Sequence, residues 1–83
     1  MDTRKWGSSG WKFLHAITFN YPSKPSNKDK INNLLFFNTI KSILPCRYCR
    51  ESFDVFTKKE KLINNLDNTN QLSKWLFNIH NMV

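Results

Sequence analysis

Apolar residues recur along this chain at helical spacing. After Gly7, the positions Trp11, Leu14, His15 and Thr18 follow one another at i, i+3, i+4 and i+7, and Phe13, Ile17 and Phe19 widen the stripe until Tyr21-Pro22 stops it. This predicts a first helix over about 8–20. Ser26 followed by Asp29 reads as a capping box with the shorter acid, and Ile31, Leu34, Leu35, Phe37, Ile40, Ile43 and Leu44 give the second helix a broad buried face. Pro45 suits the first turn of a third helix over about 46–58, because its missing N–H is unpaired there anyway. Within that helix Cys49, Phe53 and Phe56 are spaced i, i+4, i+7, which turns the second cysteine inward with two aromatics and Arg47, Arg50 and Lys58 elsewhere. Leu62 and Leu66 are expected to tuck a connection against the bundle. Asp67, Asn68 and Thr69 are all competent N-caps for a fourth helix, from about 70 to the chain end, with Leu72, Trp75, Leu76, Ile79, His80 and Val83 on one face. No run of β-branched residues alternates with polar ones. The pattern predicts an all-α fold, a four-helix bundle whose short loops favour antiparallel neighbours.

Composition narrows the possible functions. Eighty-three residues make one domain, and 40% hydrophobic with 14% aromatic content is too much core material for a disordered chain. The longest strictly apolar stretch, Leu34 to Phe37, is far too short to span a bilayer, which needs about 20 residues. The N-terminal Met1-Asp2-Thr3-Arg4-Lys5 is followed by no apolar segment of the kind a secretory signal carries, so a cytoplasmic location and no membrane partner are expected. A formal charge of +7 attracts nucleic acid, anionic lipid or a phosphate-bearing cofactor without choosing among them. Lys24, Lys28 and Lys30, and Lys58, Lys59 and Lys61, read first as solvated basic surface.

The two cysteines, Cys46 and Cys49, exclude both a disulfide framework and a zinc site of four cysteines. A C-x-x-C pair at a helix start can close a strained disulfide, and the helix N-terminus favours a thiolate; Arg47 and Arg50 are expected to add to that effect. Two other readings stand beside this one: a pair of small buried helix residues, and half of a zinc site completed by His15 and His80. A thioredoxin-type motif is excluded because no strand precedes the pair. A dithiol that takes electrons from thiols must pass them on, to another protein or to a bound redox cofactor.

Several motifs taken together resemble the FAD-linked sulfhydryl oxidases of the Erv/ALR family. They are Trp6-Gly7 with Trp11 and Leu14-His15, Tyr21-Pro22 with Pro25, Leu44-Pro45-Cys46-x-x-Cys49-Arg50 with Phe53, and Trp75-Leu76 followed by His80-Asn81-x-Val83. The match runs along nearly the whole chain and is most similar to the short forms of large DNA viruses. The resemblance implies a helical bundle that holds FAD beside the dithiol, Cys49 being flavin-proximal and Cys46 meeting a protein dithiol substrate. Electrons then pass through FAD to O2, giving H2O2. It also implies cofactor contacts from Trp6, Gly7, Trp11, His15, Tyr21, Cys49, His80, Asn81 and Val83, and no metal. Each of these has a plainer reading as core or turn residue. Two inward histidines on two helices want a shared polar partner, which an adenine or ribose edge supplies. Family members commonly dimerise through their first helices, which makes Phe36 and Phe37 candidate interface residues of a homodimer. The family continues past H-N-x-V with a closing segment, so this chain is expected to be a C-terminally shortened form. The alternative is a small basic helical module binding nucleic acid or a viral protein, with an inert C-x-x-C.

Overall fold

A computed structural model describes residues 3–82 and contains four α-helices and one short 3-10 turn, with no strand among the described residues. Helix α1 spans Thr3–Phe19, α2 Asn27–Ile43, α3 Arg47–Lys59 and α4 Thr69–Met82, with the turn at Leu62–Asn65. Val83 lies outside the described residues.

Helix α4 is the central post. Leu72, Trp75, Leu76 and Ile79, at i, i+3, i+4 and i+7, are all at most 1% exposed, because α4 packs on both α1 and α3. Trp75 meets the rings of Phe37 and Phe53 edge to face, at centroid separations of 5.3 and 6.4 Å, so one indole joins α2, α3 and α4. Its Nε1–H donates to the Glu60 carbonyl at 2.6 Å, which satisfies the buried indole and ties down the end of α3. Complete burial of a side chain such as Phe37 contributes roughly 1.5–3 kcal/mol. Leu62 and Leu66 are buried beneath the connection, as their spacing suggests.

The caps follow local chemistry. Ser26 Oγ accepts from the Asp29 N–H and Asp29 returns the bond to the Ser26 N–H, completing the expected capping box. Asn68 Oδ1 accepts from the Gln71 N–H at 2.8 Å and caps α4. The buried Tyr21 hydroxyl donates to the Leu66 carbonyl at 2.6 Å, and Thr69 Oγ1 donates to the Thr18 carbonyl, so the end of α1 is fastened to the start of α4.

Five sequence expectations need correction. Helix α1 begins at Thr3, so Trp6 and Gly7 are helical residues and not a turn before the helix. The Trp6 ring lies against Gly10, where an added Cβ would stand 3.3 Å from Cε3, and this packing favours a helix through a position that is otherwise a poor helix former. Phe13 and Phe19 face outward. On α2 the buried side carries Leu34, Phe37 and Ile40, whereas Ile31, Leu35 and Ile43 are more than half exposed, because α2 packs chiefly on α3. Phe37 is 1% exposed and belongs to the core, so it is not a surface for a second chain. Finally, α3 begins one residue after Cys46, which is its N-cap, and Pro45 precedes the cap.

Candidate functional site

Two recesses open on either side of Trp11. Helix α1 supplies a wall to both. Successive residues of a helix are separated by about 100°, so Trp6, Gly10 and Phe13 face one way and Ser8, Lys12 and His15 the other, with Trp11 between them.

The first recess, of about 240 Å³, is apolar. Ile40, Leu44 and Phe53 line it opposite α1, and Cys49 supplies its sulfur. The inward direction expected of Cys49 from its spacing to Phe53 is the one observed. Trp6 also borders this recess, and its buried Nε1–H has no hydrogen-bond partner; Ser73 Oγ is the other such buried side-chain atom among the described residues. Gly7 shares the inner face of α1 with Leu14 and Thr18, yet an added Cβ there would meet nothing within 4 Å.

The sulfurs of the C-x-x-C pair sit in different electrostatic surroundings. Cys46, as N-cap, accepts the Cys49 N–H on Sγ at 3.3 Å. Hydrogen bonds from the Cys49 thiol and backbone N–H together hold Cys46 below the ordinary thiol value. Burial, then the Cys46 sulfur beside it, pushes Cys49 up to about 11. The arginines do less than the sequence suggests. Arg50 donates to the Leu44 carbonyl and fixes the loop before the cysteines, and exposed Arg47 pairs with Glu51 at 3.1 Å. Both cysteines are free thiols, and no group of three or more metal-ligating side chains exists among the described residues.

The second recess is shallower and more open, with a volume of about 820 Å³. His15 and His80, far apart in sequence, meet there at 3.0 Å between Nε2 and Nδ1, and His80 stacks on Trp11 at 3.9 Å and 5°. Only one of the two facing nitrogens carries a proton, since a lone pair must receive it. Burial and the neighbouring His80 hold His15 below its usual 6.5. The polar partner each histidine wants is thus first of all the other histidine.

Cys49, Trp6, Trp11, His15 and His80 therefore gather around the two recesses. Tyr21 does not line either one, Asn81 is exposed beyond them, and Gly7 lies on the helix face between them. The sequence reading missed Ser8 and Lys12, although both share the α1 face of His15 at helical spacing.

A sequence profile of the Erv1/Alr family matches residues 8–83. The chain belongs to the Erv1/Alr family. Among its relatives, the probable FAD-linked sulfhydryl oxidase R368 of Acanthamoeba polyphaga mimivirus is 37% identical over the whole of this chain and 59% of its own length. The mitochondrial FAD-linked sulfhydryl oxidase ERV1 of Saccharomyces cerevisiae is 27% identical, over 99% of this chain and 42% of its own. The chain thus spans about half the length of these relatives. In structure, the crystallised FAD-binding domain of Erv1 from Saccharomyces cerevisiae superposes with a TM-score of 0.90 at 27% identity, covering 98% of this chain and 75% of that one. The Erv1/Alr helical fold therefore accounts for essentially every described residue. No helix among them is long and apolar enough to cross a membrane.

Proposed function

We propose that this Erv1/Alr chain is an FAD-linked sulfhydryl oxidase that forms disulfides in protein dithiols. The observation that carries the reading is Cys49 in the wall of an apolar recess with its partner thiol, Cys46, at the helix cap outside it. The residues present fit the flavin cofactor named for the relatives. The first recess is apolar and aromatic, as a tricyclic ring requires, and the orphaned Trp6 Nε1–H is a donor in want of an acceptor. The empty space over Gly7 leaves room for a ligand that runs from one recess to the other, where His15 and His80 supply polar edges.

In the oxidised chain, a substrate thiolate attacks Cys46 Sγ, the Cys46–Cys49 bond breaks, and Cys49 leaves as thiolate. Position favours Cys46, because it stands at the helix cap outside the recess whose wall holds Cys49. The second substrate thiol then displaces Cys46 from the mixed disulfide. That step expels the sulfur that the Cys49 N–H stabilises, so the cap favours product release. The basic Cys49 sulfur is correspondingly the stronger nucleophile toward an electron acceptor in the apolar recess. FAD held in the recess would supply that acceptor and the two-electron chemistry that reduces O2 to H2O2.

Purified protein should be yellow, lose flavin absorbance anaerobically with dithiothreitol, and regain it in air. A chain that binds no flavin and consumes no oxygen with thiols contradicts the reading.

A further inference from the structure

We propose that Lys12, with the Ser8 hydroxyl one turn before it on α1, forms the anion subsite that holds the pyrophosphate of a dinucleotide flavin, and so selects FAD over riboflavin. The proposal rests on the flavin reading above and deepens it. It starts from the difference between the two recesses. The one that contains Cys49 has no charged lining residue among the described ones, which suits an uncharged ring but not a diphosphate. The one beyond Trp11 has, among the described residues, a single charged lining residue, Lys12, and no acidic one.

The neighbours of Lys12 do not supply the charge in its place. His15 and His80 hydrogen-bond each other, which requires at least one of them to be neutral, and burial disfavours the charged form of His15. Ser8 and Lys12 are i and i+4 on one helix, and both are exposed, so a hydroxyl and an ammonium stand side by side at the mouth of the recess. Lysine is a mobile point charge that binds phosphate without a fixed fork geometry, as an open site requires. Three other lysines are engaged: Lys30 pairs with Asp67, and Lys41 and Lys58 both pair with Asp54. The general charge of +7 draws an anion toward the protein, and Lys12 gives that attraction an address.

The test measures dissociation constants of FAD and riboflavin for the full chain freed of bound flavin, by quenching of flavin fluorescence at two salt concentrations. Lys12→Gln should weaken FAD roughly three- to fivefold, as expected for one exposed charge pair, and flatten its salt dependence. Riboflavin affinity should not change, which also shows that the variant is folded. Lys12→Arg should restore FAD binding, and Lys59→Gln, which removes the same charge at the end of α3, should leave it unaltered. Equal weakening of FAD and riboflavin, an unchanged FAD affinity in Lys12→Gln, or an equal loss in Lys59→Gln overturns the proposal while the flavin reading stands. A wild-type chain that binds neither flavin overturns both.

Discussion

On one side of Trp11 the chain presents Ile40, Leu44 and Phe53 around the Cys49 sulfur; on the other it presents Ser8, Lys12 and the paired His15 and His80. These surroundings differ in almost every property that matters to a ligand, yet both are built on the same helix within three turns. A rotation of about 100° per residue is enough to do it. Trp11 is the partition, and its ring is fixed by the stacked His80 from α4. The contrast teaches how a small bundle presents an apolar hollow beside a thiol and a polar, charged hollow on two sides of one helix. It also separates two kinds of side chain, since the thiol lies in one recess and the histidines and the lysine in the other.

Removing the Cys49 sulfur from the apolar recess should have the largest effect. Cys49→Ser is expected to lower dithiothreitol-driven flavin reduction by at least ~100-fold with FAD still bound, measured by anaerobic stopped flow. Reduction at the wild-type rate would mean that the sulfur in the recess is not the one that donates electrons. Next comes the partition itself. Trp11→Ala should weaken FAD more than about tenfold and cost about 2 kcal/mol in urea unfolding, because a half-buried indole and its stack on His80 are lost together. Unchanged flavin affinity would separate the two recesses into unrelated hollows.

A smaller effect should distinguish the two thiols. At neutral pH, iodoacetamide should alkylate Cys46 about five- to tenfold faster than Cys49, read by peptide mass mapping, since one thiol is stabilised as thiolate and the other is not. Equal rates would remove the electrostatic asymmetry. The smallest effect belongs to the histidine pair. His15 is held below 6.5 in the folded chain, so the unfolded chain binds more protons near that value. Its contribution to stability is therefore complete above about pH 6.5 and declines as pH falls through the folded value. The thermal midpoint should drop on acidification from neutral pH, and the drop should be shallower in His15→Gln; identical pH profiles would dissociate the pair from stability.

Much of this was legible in the sequence, for physical reasons. The α4 stripe of Leu72, Trp75, Leu76 and Ile79 was read correctly because all four residues are buried on a helix packed from two sides. The α2 stripe was not, because its apolar residues cover more than half the helix circumference, and nothing local says which side the partner occupies. Gly7 and Gly10 read as punctuation, yet Trp6 packs on Gly10 and the helix runs through both. The spacing of Cys49 to Phe53 gave the inward thiol. The source of the thiol asymmetry lay elsewhere, in a cap bond to Cys46 and in burial of Cys49, while the arginines that looked responsible are engaged with Leu44 and Glu51. The pairing of His15 with His80 is a tertiary fact, and sequence shows only that both face inward.

The most direct measurement compares the long-wavelength absorption of two variants loaded with FAD, Cys46→Ser and Cys49→Ser, as pH is raised. The lone Cys49 in the first should give a thiolate-to-flavin band that grows with pH, because burial keeps this thiol protonated near neutrality. Cys49→Ser should give none at any pH. A band of equal strength in both, or its absence from Cys46→Ser up to the pH at which the protein unfolds, contradicts the placement of Cys49 against the flavin.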